Sequence, residues 1–239
     1  MFLISENFIK VKSCILDAAK RVGRDPASVK LLAVTKEQSD MTVAKGVKAG
    51  MTCFGENKVQ EASDKIDILG RNRLEWHFIG RLQKNKVKFI FDLFDLIHSV
   101  DSFPLAEAIH KKAQKTGYCM PILLQVNISG EKSKLGIDPL DLPKEIPKFA
   151  KLEGVKISGL MTIPPYSLNP ENSRPYFARL RELRDACSEL GIPGMELGEL
   201  SMGMSNDYEV AIEEGATLVR VGTGLFGPRP SIKKSQLVE

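Results

Sequence analysis

At 239 residues, 43% of them hydrophobic and 27% charged, the chain has the makeup of one globular domain with a substantial core, which excludes a disordered or low-complexity protein. Lys and Arg number 34 against 30 Asp and Glu, and a formal charge of +4 is too small and too dispersed to mark a nucleic-acid surface. Cys14, Cys53, Cys119 and Cys187 form no CxxC pair and read as reduced thiols of a cytoplasmic protein, and no window approaches a membrane span.

In chain order, Phe8, Val11, Ile15, Ala18 and Val22 form one apolar stripe broken by charges, so the N-terminal segment reads as a packing helix and not as a leader. Val29 to Thr35 is an apolar run led in by Asp25-Pro26 and followed by Glu37-Gln38-Ser39-Asp40, the pattern of a strand covered on both faces. Lys36 stands at its open end, in a short connection to a helix that starts at Ser39-Asp40 and stops at Ala49-Gly50. That lysine has two readings. It is either a strand-end charge reaching water, or an amine held against apolar surface in a loop that builds a site, able to attack a carbonyl.

The unit then repeats. Met51 to Phe54 predicts a second strand tipped by Gly55-Glu56-Asn57, and Val59, Ala62, Ile66 and Leu69 predict its helix; Asn57 is a helix cap or an amide offered to a ligand. Leu74 to Ile79 predicts a third strand with Trp76 and Phe78 on one face and His77 and Ile79 on the other. His77 is a hydrogen-bonded core histidine or a site contact. Arg81, Lys84, Lys86 and Lys88 alternate with Leu82, Val87 and Ile90 at helical spacing, which predicts a solvated helix face instead of a nucleic-acid patch. A fourth strand, 94–99, and a helix capped by Asp101-Ser102 and closed by Gly117 follow. The run from Pro121 to Ile128 is a fifth buried strand, and the glycine-bracketed charged loop 129–136 is expected to be mobile and to lie over the site mouth. Beyond it come a helical stretch over 140–152, a sixth strand over 155–160 tipped by Met161-Thr162, and a helix over 174–190. A seventh strand over 196–202 turns through Gly203 to Asp207 into a helix ending at Gly215, and an eighth over 217–221 precedes Gly222-Thr223-Gly224. Eight strands, seven of them followed by a helix, predict an α/β protein with a single (β/α)8 TIM barrel over 1–227, its extra N-terminal helix included, and a polar tail over 228–239.

In such barrels the loops after the last two strands commonly hold a phosphate. Gly222-Thr223-Gly224 lets a backbone approach an anion, and Ser205 stands where a helix begins, although each alone reads equally well as a turn or a cap. Arg220, between Val219 and Val221, needs a partner: a carboxylate such as Glu199, or a ligand above it.

The segments Leu31-Leu32-Ala33-Val34-Thr35-Lys36, Phe54-Gly55-Glu56-Asn57-Lys58-Val59-Gln60-Glu61, Trp76-His77-Phe78-Ile79-Gly80-Arg81-Leu82-Gln83, Gly159-Leu160-Met161-Thr162-Ile163, Leu200-Ser201-Met202-Gly203-Met204-Ser205 and Val219-Arg220-Val221-Gly222-Thr223 strongly resemble the pyridoxal phosphate homeostasis proteins, in the same order and over nearly the whole length. That family is related to the N-terminal barrel of alanine racemase, a fold type III barrel. The resemblance implies that Lys36 forms an imine with pyridoxal 5'-phosphate (PLP), that Arg220 faces the pyridine nitrogen, and that Ser205, Gly222 and Thr223 hold the phosphate. It makes Asn57, His77, Met161 and Ser201 further pocket residues, with no catalytic group and no metal. Lys58 stands where the family often has Tyr, and Glu37-Gln38 replace a more usual Thr or Phe pair; neither removes a group that the imine or the phosphate needs. An arginine at the ring nitrogen disfavours its protonation and restrains carbanion chemistry. The racemase's tyrosine base comes from a separate C-terminal domain, and this sequence is expected to stop too soon to carry one. The resemblance therefore implies intracellular PLP homeostasis by a monomer or weak homodimer, with PLP delivered to apo-enzymes and no nucleic acid or membrane as partner. An amino-acid racemase and a Schiff-base aldolase acting on a sugar phosphate are the alternatives.

Overall fold

The computed structural model describes residues 3–131 and 133–228, so the expected tail beyond Pro228 lies outside the described residues. Eight parallel strands close into a barrel in sequence order: β1 (Lys30–Val34), β2 (Cys53–Glu56), β3 (Glu75–Phe78), β4 (Leu96–Val100), β5 (Met120–Gln125), β6 (Val155–Met161), β7 (Glu199–Met204) and β8 (Leu218–Val221). Closure comes from β1 against β8, with Leu32 opposite Arg220 and Ala33 opposite Val221. The helices α2 (Asp40–Lys48), α3 (Val59–Leu69), α4 (Phe103–Thr116), α5 (Leu142–Phe149), α6 (Arg174–Ser188), α7 (Tyr208–Glu213) and α8 (Thr223–Phe226) follow their strands. None of the helices is long and apolar enough to cross a membrane.

Local signals explain most boundaries. Ser39 caps α2 by accepting from the Thr42 N–H at 3.2 Å, and Gly117 closes α4 in the left-handed conformation. The basic stretch after β3 departs from expectation: it forms a six-residue 3-10 helix, Lys84–Phe89, and not an α-helix. Val87 and Ile90 lie three apart, a spacing that a 3-10 turn lines up as well as an α-turn does, and both are buried with Leu82 as expected. With that turn counted, all eight strands are followed by helical structure.

The strand alternation divides the core into two layers. Phe54, Trp76, Phe78, Ile97 and Ile122 face outward beneath the helices, and Phe54 and Trp76 stack with ring centroids 5.2 Å apart. Inside the barrel, where bulky branched residues usually fill the space, Leu96, Leu123, Met161 and Leu218 form an apolar cluster, with Leu32 buried opposite Arg220. Polar groups share that interior, and His77, His98, Ser201 and Arg220 are all buried. The N-terminal helix α1 (Ile4–Arg21) packs against α7 and α8, where Asn7 donates to the Leu225 carbonyl at 3.0 Å and Arg21 pairs with Glu209 and Glu213 at 2.9 and 2.8 Å.

None of the described residues of the loop after β5 lines the cavity at the strand tips, where the sequence suggests that it would lie. β5 ends at Gln125, Val126 bridges to Ile137, and the described loop residues fold back onto the strand end, with Gln125 donating to Leu135 O at 3.0 Å and Asn127 to Glu131 O at 2.9 Å.

Candidate binding site at the strand tips

Lys36 sits one residue beyond a buried anchor. Thr35, fully buried, donates from Oγ1 to Glu56 Oε1 at 2.6 Å, and its carbonyl accepts from Lys65 Nζ at 2.6 Å. Lys65, reaching in from α3, also donates to Glu56 at 2.6 Å and to Glu61 at 2.7 Å, while Glu61 accepts from the Glu37 N–H at 2.6 Å. The backbone is thus clamped on both sides of Lys36. Glu37 takes a left-handed φ of 63°, a strain of about 1 kcal/mol or more for a residue with a side chain, and the bond to Glu61 holds it there. Only the Glu37 main chain takes part in that bond, which is why an unusual residue at this position leaves the clamp intact. Burial pushes the Glu56 carboxyl above its ordinary value, against the pull of Lys65 and Thr35.

One cavity of about 680 Å³ opens at the strand tips, within the usual range for a small-molecule site. Lys36, Met161, Ser205, Arg220, Gly222 and Thr223 all line it. Ser205 does not cap α7. Asp207 is the residue before that helix, and Ser205 Oγ instead accepts from the Gly222 and Gly224 N–H groups at 3.2 Å each. The close approach falls on Gly224, where a Cβ would lie 2.9 Å from Val221 Cγ1; at Gly222 the nearest contact would be 3.4 Å, which has room.

Arg220 is buried and, among the described residues, meets no carboxylate directly. It donates to Ser201 Oγ at 2.6 Å and to the Thr162 carbonyl at 2.9 Å. Glu199, the carboxylate considered from sequence, accepts from Thr217 at 2.5 Å instead. Burial pulls the guanidinium down to about 10, opposed by the charge of Asp207. Ser201 therefore lies beneath the cavity as a support for Arg220.

His77 stands apart from the cavity. It points toward the other end of the barrel, bonding to His98 at 2.9 Å and to Glu75 at 2.8 Å, with Cys53 Sγ 3.7 Å away. His98, which sequence reading passed over, bonds to Ser201 at 2.8 Å. Its signal was there: in a strand, His98 shares a face with Leu96, which pairs with His77. Cys53, Glu75 and His77 bring three potential metal ligands within 4.8 Å, but both Glu75 oxygens accept from Lys30, at 3.0 and 2.9 Å, and the histidine contact has hydrogen-bond length. Asn57 is at the tip of β2, where Gly80 admits it; a Cβ there would lie 2.1 Å from the Asn57 carbonyl oxygen. Asn57 Oδ1 is buried and has no hydrogen-bond partner among the described residues.

Comparisons with known proteins give the family of the chain. The alanine racemase N-terminal domain family matches residues 16–230. A pyridoxal phosphate homeostasis protein of Aquifex aeolicus is 46% identical over 94% of this chain and 97% of its own length, and that of Escherichia coli K12 is 38% identical over 97% and 99%. PipY of Synechococcus elongatus, whose structure was solved with PLP bound, is 39% identical with a TM-score of 0.82, covering 94% of this chain and all of its own (100%). Alanine racemase of Corynebacterium glutamicum, at 14% identity and a TM-score of 0.70 over 97% of this chain and 62% of its own, shares the barrel alone. By sequence over nearly its full length and by fold, the chain belongs to the pyridoxal phosphate homeostasis protein family.

Proposed function

We propose that this protein binds PLP on Lys36 and holds it reversibly for transfer to apo-enzymes. The observation that carries the reading is that one cavity brings together a clamped lysine, a buried arginine and a loop of backbone N–H groups. When bound, PLP supplies an aldehyde that condenses reversibly with an amine and a ring that accepts electrons.

The residues fit that group. Lys36 offers the amine and Ser205 with the Gly222 and Gly224 backbone suits a phosphate, whereas Asn57, named from the sequence, does not line the cavity although its buried oxygen is unpartnered among the described residues. Arg220 has no acceptor to offer, so a ring nitrogen held against it would stay unprotonated and the ring would be a weak electron sink. This favours holding the cofactor over turning over amino acids.

Tyr166 gives a racemase reading its one specific support, since this phenol lines the cavity mouth and is 80% exposed. A racemase needs a second base on the face opposite the lysine. Purified protein should be yellow with PLP, and borohydride reduction followed by peptide mass mapping should place the adduct on Lys36; an adduct solely on another lysine overturns the assignment. Incubation with L-amino acids in deuterium oxide separates the two readings. Slow α-proton exchange with transfer of PLP to an apo-enzyme is expected, whereas fast exchange lost in both Lys36→Ala and Tyr166→Phe makes the protein an enzyme.

A further inference from the structure

A line of hydrogen bonds crosses the barrel interior from Arg220 to Glu75. Its links are Arg220 Nη1 to Ser201 Oγ at 2.6 Å, Ser201 Oγ to His98 Nδ1 at 2.8 Å, His98 Nε2 to His77 Nδ1 at 2.9 Å, and His77 Nε2 to Glu75 Oε1 at 2.8 Å. The two ends fix its direction. Arginine only donates, so Ser201 accepts from it and passes its own hydroxyl proton to His98 Nδ1. Complete burial holds His98 neutral, so its single ring proton lies on Nε2 and is donated to His77 Nδ1. His77 then donates from Nε2 to the Glu75 carboxylate, a pure acceptor. Run the other way, Ser201 would receive two donors, and its hydroxyl would find no acceptor among its described partners; a buried orphan of that kind costs ~1–3 kcal/mol.

We propose that Glu75 is a remote positioning residue for the ring-facing arginine: as terminal acceptor at the far mouth of the barrel, it locks His77 and His98 as Nε2–H tautomers and keeps the Ser201 lone pair turned to Arg220. The consequence at the ring rests on the PLP reading; the direction of the line does not. Glu75 is 38% exposed and lines a second cavity of about 410 Å³ together with Lys12, Lys30 and Cys53, so solvent reaches this end without entering the upper site. The other ionisable groups facing this end are Asp95 and Glu199, and Asp207 faces Arg220.

The test uses two substitutions that both remove the charge, of which one keeps an acceptor. The chain has three histidines, so ring-nitrogen NMR of the cofactor-free protein resolves each one; His110, which accepts from the Gly154 N–H at 2.9 Å, is an internal control. Wild type and Glu75→Gln should show pure Nε2–H rings at His77 and His98, and Glu75→Ala should show mixed tautomers at both while His110 is unmoved. Glu75→Leu, which refills the volume, serves if the alanine variant folds poorly. In the PLP-loaded protein, losing an anion should lower the pH midpoint of the lysine-bound chromophore in both variants, and Ala should lower it further than Gln by roughly 0.3 unit or more. Unchanged tautomers in the acceptor-free variants, or equal midpoints for Ala and Gln, overturn the proposal. If wild type takes up no PLP, the proposed function falls, and the ring spectra alone decide the line.

Discussion

Replacing Lys65 with Met should cost more than any surface change on this protein, because among the described residues its ammonium is the only cation bonded to a fully buried carboxylate. Lys65 is 4% exposed, and it bonds to Glu56, to Glu61 and to the Thr35 carbonyl. The substitution leaves Glu56 with the Thr35 hydroxyl alone, and breaking a buried pair in this way costs about 3–5 kcal/mol. For a domain of this size each kcal/mol lowers Tm by roughly 2–4 °C, so a fall of about 6–20 °C is expected. Trp76, the one tryptophan and fully buried, reports the transition by fluorescence. The pH dependence supplies the sign. Burial already raises the Glu56 carboxyl above 4.5, and losing Lys65 raises it further. A carboxyl raised in the folded state contributes its full stability below the unfolded value and loses it as pH rises through the folded value, so the deficit should be smallest near pH 5 and grow toward pH 8. Adding Glu56→Gln should recover half of the loss or more. A deficit under about 1 kcal/mol at neutral pH, or one that ignores pH, would refute the clamp as described.

Ser205→Ala removes the acceptor that gathers the Gly222 and Gly224 N–H groups, and should weaken PLP about tenfold while changing pyridoxal, which lacks the phosphate, far less; equilibrium titration of both ligands checks it. The His77 hydrogen bond, aided by Lys30, holds the Glu75 carboxyl down to about 2, so its stabilisation is present above about 4.5 and lost as pH falls toward 2; Glu75→Gln should flatten that part of the acid unfolding curve. Among the thiols, Cys119 is exposed while burial raises Cys53 and lifts Cys187 to about 11, so a thiol reagent should label Cys119 fastest in the native protein, as peptide mapping would show.

Much of the barrel is legible in the chain because its strands are covered on both faces and read as unbroken apolar runs, as at Leu31 to Val34 and Ile122 to Leu124. The lysine at the first strand tip and the glycine loop after the last are legible for a related reason: such loops carry the site whatever the chemistry. What escaped were contacts set by tertiary position. Nothing local to Ser205 shows that its hydroxyl turns to a loop 17 residues on, and nothing near Lys65 shows that it clamps Thr35 from 30 residues away. His77 was placed on the correct face by alternation, but alternation gives a side and not a depth, so it could not say which mouth of the barrel the ring addresses. His98 was missed because its one signal, a shared strand face with Leu96, means something only once the pairing of Leu96 with His77 is known.

The seating of α1 on α7 and α8 governs how this chain can acquire its structure. Val11, Ile15, Ala18 and Ala19 are buried in the finished protein, yet the helices that α1 packs against most, α7 and α8, begin only at Tyr208. During synthesis much of this apolar stripe must wait until the chain beyond Tyr208 is made, as must β1 for its partner β8. Contacts this distant in sequence slow folding and lengthen the time that sticky surface stays open. The first helix is therefore the segment for which a chaperone, or an aggregate, competes with the native fold.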